Sequence, residues 1–217
     1  MSALSLDIGT YAIKAISGNP GKKIEVERFV EVFNPLGVSI PSDEALMQKF
    51  VDLIESIIAD NKLPRNDVRL SLPESVVSTN IIELPTLSDA ELASAIGWQA
   101  EQHIPIPPDQ LSLQYQVLHR PSKENKNDEK MRVLLVGVHK DLVERYTNVF
   151  LTLGIEPKLL ETQMLSVLRA LDIEKQEPPT LVLQMGASNT QLAMVYEGEL
   201  RFITSQMTGG HALTQSL

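Results

Sequence analysis

Several residue types and patterns are rare or missing in this sequence of 217 residues. It contains no cysteine, which excludes disulfides and thiolate metal sites, and its four scattered histidines do not indicate a histidine metal site. With 19 basic against 28 acidic residues and no basic run, a nucleic-acid partner is not expected. No apolar run is long enough to cross a bilayer. These absences predict a protein of a reducing compartment that meets a membrane only through a partner.

The composition that is present, with 43% hydrophobic and 22% charged residues, is that of an ordinary globular chain. Alternating apolar residues, turn residues and one helical apolar stripe predict a β-β-β-α-β order at the start. We place these elements at Ala3–Ile8, Ala12–Ile16, Lys23–Val32, a helix capped by Ser42 or Asp43 and ending near Ala59, and Arg69–Leu72.

The middle of the chain predicts a second unit with the order βαββα. Its helix begins after Ser88, with Glu91 as capping-box partner, and ends near His103 before a proline-rich stretch. The other elements are strands at Val76–Leu84, Leu113–Leu118 and Arg132–Val138 and a helix at His139–Leu153.

The last part of the chain repeats the pattern of the first. After a predicted helix at Leu159–Leu171, three strands follow, and then Gly209–Gly210 opens another helix. The strands are Thr180–Met185, Gln191–Val195 and Leu200–Thr204. A β-β-β order that occurs twice is an internal repeat, which constrains the architecture.

Each repeat begins with a strand that ends in a glycine turn: LSLDIGTYAIKAI and LVLQMGASNTQLAMV. Gly9 and Gly186 sit where two strands meet, and glycine lets backbone amides approach an anion. Beside the first turn, Asp7 could hold Mg²⁺ through water, Thr10 offers a hydroxyl and Lys14 could reach a phosphate. A plain hairpin is the alternative for the first turn, with Lys14 as a solvated strand residue. Two such hairpins facing each other would grip a phosphate chain from both sides.

The order of these features resembles the superfamily of actin, heat-shock-chaperone and hexokinase ATPases. Leu160–Glu161–Thr162 looks like the start of that superfamily's connecting helix, and Thr208–Gly209–Gly210 like its glycine pair. The stretches LPTLSDAEL, WQAEQHIP, LGIEPKLLE and TGGHALTQSL are similar to the PilM family of pilus-assembly proteins and, more distantly, to the division protein FtsA. This resemblance covers essentially the whole chain.

The resemblance implies an α/β fold with an actin-like (RNase H-like) core. It divides the chain into a first core subdomain (1–74), an inserted βαββα subdomain (75–156), a connecting helix (157–178) and the start of a second core subdomain (179–217). Because the family continues with most of its second domain, we expect a C-terminally truncated chain.

The resemblance also implies a site for ATP and Mg²⁺ in the complete protein, with binding weak or absent in this chain. The implied contacts, with Asp7 also at the metal, are Asp7, Gly9, Thr10, Lys14, Glu161, Gln184, Gly186, Gly209 and Gly210. Gln184 stands where the second phosphate loop normally carries aspartate, and an amide adds no charge to hold Mg²⁺. We therefore predict a nucleotide-binding fold that is not an enzyme.

The function implied by the resemblance is that of a cytoplasmic adaptor, peripheral to the inner membrane, in type IV pilus assembly. Its partner would be the cytoplasmic N-terminal tail of a PilN-like protein, held in a groove between the first core subdomain and the insert. We expect Val76–Leu84 and its neighbours to line that groove. Self-association stays open, as do two alternatives: an FtsA-like filament-forming protein, and a sugar or acetate kinase, for which no substrate signature is visible.

Overall fold

A computed structural model describes residues 2–21, 24–121, 130–173 and 178–216 of the chain. Within these ranges, eleven strands form three sheets and five α-helices accompany them. The predicted mixed α/β class is confirmed.

The first sheet has five strands in the order β3-β2-β1-β4-β8. Its first three strands form an antiparallel meander, and β4 and β8 extend it in parallel with β1. The bounds are β1 Ala3–Ile8, β2 Ala12–Asn19, β3 Glu25–Phe33, β4 Val68–Leu72 and β8 Pro157–Thr162.

Two helices, α1 (Glu44–Asp60) and α3 (Lys140–Thr152), supply the core on one side of this sheet. The first helix begins as predicted, because the Asp43 carboxylate accepts a hydrogen bond from the Leu46 amide. Alternate β1 side chains point into this core, and the others, including Asp7, point to the opposite face. The buried residues of the core include Leu4, Leu6, Ile8, Phe50, Ile54, Tyr146 and Phe150.

The insert contributes a three-stranded antiparallel sheet in the order β5-β7-β6. Its elements are β5 Val77–Leu84, α2 Asp89–His103, β6 Leu111–His119 and β7 Met131–His139. The predicted capping box of Ser88 and Glu91 is present at the start of α2. Helix α3, which the sequence grouped with the insert, buries its apolar side against the first sheet's core instead. The predicted subdomain boundaries themselves stay a prediction.

The prediction of a single helix over Leu159–Leu171 was wrong. Residues Pro157–Thr162 form strand β8, and helix α4 (Gln163–Ala170) begins only afterwards, with Thr162 as its N-cap. The cause is tertiary: β4 offers a free edge, and β8 pairs with it in parallel. Glu161 therefore lies near the end of a strand and not at the start of a helix.

The second repeat forms the third sheet, an antiparallel meander in the order β11-β10-β9. Its elements are β9 Thr180–Met185, β10 Thr190–Tyr196, β11 Glu199–Gln206 and the short helix α5, Gly210–Gln215. Met164 and Leu168 of α4 share a buried core with this sheet. Helix α4 thus follows the first sheet in the chain but packs against the third.

Candidate functional site

The two glycine turns have the same backbone hydrogen bond. The Gly9 amide donates to the Ala12 carbonyl over 3.0 Å, and the Gly186 amide donates to the Asn189 carbonyl over 2.8 Å. A Cβ atom on Gly9 would come within 2.9 Å of the Ala12 oxygen, so this turn requires glycine. The sequence repeat is therefore also a repeat of local geometry.

The two turns face each other across one cavity. The hydroxyls of Thr10 and Ser188 lie 2.8 Å apart, and residues of both turns line a cavity of about 350 Å³. Gly9, Gly186, Thr10, Asp7, Lys14 and Gln184 all line it. We call this space, bounded by both glycine turns, the interloop cavity.

Asp7 lines the interloop cavity and is held by two side chains. The Ser71 hydroxyl donates to its Oδ1 over 2.8 Å, and the Gln163 amide nitrogen donates to the same oxygen over 2.6 Å. Lys14 is the direct cross-strand neighbour of Asp7 and is exposed. Glu31 on β3 is in turn the cross-strand neighbour of Lys14 and also lines the cavity, so two carboxylates and one lysine share this face of the sheet.

Two glutamines of the third sheet border the same cavity. Gln184 on β9 lies directly opposite Gln191 on β10, and both line the cavity. The Gln191 amide nitrogen donates to Gln163 Oε1 over 2.7 Å. Among the described residues, the buried Oε1 atoms of Gln184 and Gln191 accept no hydrogen bond.

Sequence reasoning missed Ser71, Gln163 and Gln191. A signal for Gln191 was available, because it follows Gln184 by seven residues, as Lys14 follows Asp7. No comparable signal identifies Gln163, since its place depends on where β8 ends and α4 begins.

Glu161 does not line the interloop cavity but an adjoining one of about 390 Å³, which also reaches Asp7, Lys14 and Gln184. It forms an ion pair with Arg169 and accepts a 2.9 Å hydrogen bond from the Ser166 hydroxyl. Burial opposes ionisation of Glu161, but Arg169 and Ser166 outweigh it and hold its pKa below the usual value. Its contact with metal-bound water stays a prediction.

Gly209 and Gly210 hold the second turn in place. The Gly210 amide donates to the Gly186 carbonyl over 2.9 Å, and the His211 amide donates to the Ala187 carbonyl over 3.0 Å. A Cβ on Gly209 would lie 2.5 Å from the Ala187 oxygen. Neither glycine lines the interloop cavity, and their contact with nucleotide stays a prediction.

The chemistry of the interloop cavity fits a hydrated cation better than a directly ligated one. The described residues contain no cluster of three histidine, cysteine or acidic side chains that could hold a metal ion. Asp7 is instead hydrogen-bonded by the Ser71 hydroxyl and the Gln163 amide, and a Mg²⁺ ion held by only one or two carboxylates usually keeps several of its waters.

A separate groove of about 380 Å³ lies between the first sheet and the insert. Strands β6 and β8, which flank it, are edge strands of their sheets within the described part of the chain. Strand β5 does not line this groove, because β5 lies on the far side of β7 from β6. The expectation that Val76–Leu84 line a peptide groove stays a prediction. The lining includes Ser112, Gln114, Gln116, Leu134, Val136, Val138, Leu159, Leu160 and Leu165.

Across the described ranges, none of the helices combines the length and the apolar character needed to cross a membrane.

Comparison with known proteins gives a family and several structural relatives. The family model described as type IV pilus assembly protein PilM matches residues 5–217. A PilM–PilN type IV pilus biogenesis complex contains a chain with a TM-score of 0.84 and 21% identity, covering 99% of this chain. This chain spans 64% of the length of that one.

Two further structures are similar in fold. The cytoplasmic domain of EpsL, an inner-membrane component of the type II secretion system of Vibrio cholerae, matches with a TM-score of 0.57 at 12% identity, covering 95% of this chain and 71% of that chain. A Bacteroides thetaiotaomicron protein with an actin-like ATPase fold matches with a TM-score of 0.54 at 12% identity, covering 99% and 75%. The predicted actin-like fold and the predicted family are both confirmed. The chain belongs to the PilM family of type IV pilus assembly proteins.

Proposed function

We propose that this chain acts as a cytoplasmic adaptor of the type IV pilus inner-membrane platform and binds the N-terminal tail of a PilN-like protein. The observation that carries the proposal is the groove between β6 and β8. The related PilM chain was solved in a complex with PilN, which supports the choice of partner. Binding to a membrane protein's tail would keep the adaptor peripheral to the inner membrane.

The groove has the features that an extended peptide requires. Strand β6 on one side and strand β8 on the other are edges at which a further strand could pair through its main chain. Val136, Leu159 and Leu165 line the groove with an apolar floor, and the exposed Gln114 and Gln116 offer amides. Main-chain pairing would supply affinity, and the apolar floor would select the peptide's side chains.

In the complete protein, we propose that the interloop cavity holds the phosphates of ATP together with Mg²⁺. Hydrolysis of ATP is not part of the proposed function. Two facing glycine turns suit a phosphate chain. Asp7 is the carboxylate that would hold the cation through water, and Gln184 supplies an oxygen without charge. The bound nucleotide would then stabilise the two turns against each other, which a ligand specific to the folded state does by mass action.

Calorimetry with a synthetic peptide tests the adaptor role. The peptide copies the cytoplasmic N-terminal tail of the PilN homologue of the same organism, and we expect a dissociation constant near micromolar, or about −8 kcal/mol. Gln114→Trp places a large side chain at an exposed groove position and should weaken binding at least tenfold. Gln102→Trp, on the exposed side of α2, is the matched control and should bind normally. Absence of both heat and displacement at high peptide concentration would refute this role.

A phosphate-release assay tests the absence of turnover. The purified chain should release no phosphate from ATP above background. Turnover that Glu161→Ala abolishes would contradict the proposal and point to an enzyme.

A further inference from the structure

The first turn of helix α4 is hydrogen-bonded to three separate parts of the fold. Its first residue, Gln163, donates to Asp7 of the first sheet over 2.6 Å and accepts from Gln191 of the third sheet over 2.7 Å. Its second residue, Met164, donates its backbone amide over 3.1 Å to Glu74 Oε1, in the segment that joins β4 to the insert. The first sheet, the third sheet and the start of the insert therefore fix the position of this one turn.

This turn also lies between the two proposed ligand sites. Gln163 lines the interloop cavity, and Leu165, two residues later, lines the groove between β6 and β8. Residues two apart in an α-helix point about 200° apart, so one turn can present side chains to spaces on opposite sides of the helix. A shift or rotation of the turn would therefore change the interloop cavity and the groove together.

Packing on the side of the insert makes the groove depend on the position of α4. Val136 of β7 and Leu165 of α4 line the groove, and both pack against the buried cluster that contains Met164 and Leu168. Close-packed interiors transmit a displacement to neighbouring groups rather than absorb it. The width of the groove that the peptide would occupy therefore depends on where α4 lies.

The shared turn gives a ligand at one site a way to affect the other. A ligand that binds one arrangement of a protein more tightly than another increases the population of that arrangement. A second site that requires the same arrangement then binds its own ligand more tightly. Building on the proposed phosphate and peptide sites, we propose that the first turn of α4 couples the interloop cavity to the groove, so that a bound phosphate chain raises the affinity for the peptide.

Gln163 is the positioning residue in this coupling. A phosphate chain held by the two glycine turns fixes the end of β1, which carries Asp7, and Asp7 accepts the hydrogen bond from Gln163. Gln163 in turn holds the part of α4 that places Leu165 at the groove. Gln163 does not line the groove itself, so its effect on the peptide passes through the position of α4.

Inorganic tripolyphosphate is the probe for the interloop cavity, because it carries a phosphate chain and needs no surface for a nucleoside. Calorimetry, with Mg²⁺ present throughout, measures the affinity for the PilN-tail peptide without tripolyphosphate and with saturating tripolyphosphate. We expect the native chain to bind the peptide about fivefold tighter or more in the second condition, as is usual for coupled sites. Because coupling between two binding equilibria is reciprocal, bound peptide should tighten tripolyphosphate binding by the same factor.

Gln163→Met tests the positioning role. It removes both hydrogen bonds of the side-chain amide and keeps a side chain of similar length, so the ratio of the two peptide affinities should fall to near one. Gln48→Met is the matched control, because the exposed Gln48 amide also donates to an aspartate, Asp52, but lines neither the cavity nor the groove. Its ratio should equal that of the native chain. If Gln163→Met did not fold, the reciprocal measurement on the native chain would still test the coupling.

Four results would overturn the inference, and they separate it from the proposed function. Equal peptide affinity in the two conditions would remove the coupling and leave both sites standing. An unchanged ratio in Gln163→Met, or loss of its tripolyphosphate binding, would remove the positioning role of Gln163. If tripolyphosphate did not bind the native chain at all, the phosphate site would be refuted together with the coupling, and the peptide proposal would depend only on its own test.

Discussion

The hydroxyl oxygens of Thr10 and Ser188 lie 2.8 Å apart, although 178 residues separate them in the chain. This bond joins the tips of the two glycine turns and thereby links the first sheet to the third. Tyr11, next to Thr10, also contacts His211 of α5 edge-to-face, with ring centroids 5.5 Å apart. The two repeats are thus connected at the mouth of the interloop cavity by a polar and an aromatic contact.

We expect the Thr10–Ser188 bond to make a small but measurable contribution to stability. Thr10→Val and Ser188→Ala should each lower the free energy of unfolding by about 0.5–1 kcal/mol, because the bond is exposed. Since either change removes the same bond, the double variant should cost less than the sum. Urea unfolding measures all three. Ser56→Ala is the control, because its hydroxyl bonds only within α1. Strict additivity would show that the two hydroxyls are not coupled.

Glu74 is a buried carboxyl group at the junction of the insert, α4 and β11. It is 3% exposed, its Oε1 accepts from the Met164 amide over 3.1 Å, and the Ser205 hydroxyl donates to its carbonyl. Burial raises its pKa, and the hydrogen bonds from Thr162 and Met164 only partly oppose this. A raised pKa means that the folded protein binds the proton more tightly than the unfolded chain does.

The stability that Glu74 contributes should therefore be complete below its usual pKa of 4.5 and be lost as pH rises through the folded value. Glu74→Gln keeps an oxygen for the Met164 amide and removes the titration. We predict a higher melting temperature than the native protein near pH 7 and a smaller difference near pH 4.5, measured by calorimetry. Glu83→Gln, at an exposed ion pair, should show no such trend. A lower melting temperature for Glu74→Gln at pH 7 would contradict the interpretation.

Glu199, in contrast to Glu74, lies among basic side chains. It connects the insert to the third sheet. Arg132 of β7 donates to it, His119 Nδ1 of β6 lies 2.7 Å away, and Arg201 lies 3.6 Å away. Burial disfavours the carboxylate, but the hydrogen bond and charge of Arg132, with His119 and Arg201, hold its pKa below the usual value.

Glu199→Gln should accordingly destabilise the protein by about 1.5–3 kcal/mol at pH 7, the usual worth of a hydrogen bond to a charged group. The stability from a lowered pKa is present above 4.5 and is lost as pH falls through the folded value, so the variant should approach the native protein in acid. Glu197→Gln, on the same hairpin with a largely exposed ion pair to Arg201, is the matched control and should cost about 0–1 kcal/mol. Equal losses of unfolding free energy in Glu199→Gln and Glu197→Gln would show that the contacts of Glu199 contribute no more than an exposed ion pair.

Local signals carried most of the secondary structure that the sequence predicted. The capping box at Ser88, the cap at Asp43 and the glycine turn at Gly9 each depend on residues within a few positions of one another. Strand β8 could not be predicted in this way, because its partner β4 lies about 90 residues earlier and its apolar residues also fit a helix.

The site was predictable only as far as the repeat was visible. The matching turns indicated Asp7, Gly9, Thr10 and Gly186 as candidate residues, and in the structure all four line one cavity. Gln163 was not predicted, because its hydrogen bonds depend on α4 lying between two sheets, which no local pattern encodes. The contacts of Glu199 were not predicted for the same reason, since they join strands from different sheets.

The glycine pair at the start of α5 gives a sharp test of the packing on the second turn. A Cβ on Gly209 would lie 2.5 Å from the Ala187 oxygen and 2.6 Å from the Gly186 oxygen, whereas a Cβ on Gly210 would be at an ordinary 3.6 Å from the latter. Because both obstacles are backbone atoms, Gly209→Ala must shift the turn. We expect it to cost about 1–3 kcal/mol, the usual price of overpacking, and to weaken tripolyphosphate binding.

Gly210→Ala is the matched control, one residue away and with room for the methyl group. As the first residue of α5, it should be neutral or slightly stabilising, because alanine is the better helix former. Thermal unfolding of the two variants side by side measures the difference, and tripolyphosphate calorimetry shows whether the turn has moved. Gly209→Ala could instead have the same melting temperature as Gly210→Ala and bind tripolyphosphate as tightly as the native chain. The close approach of α5 to the second turn would then not constrain the cavity.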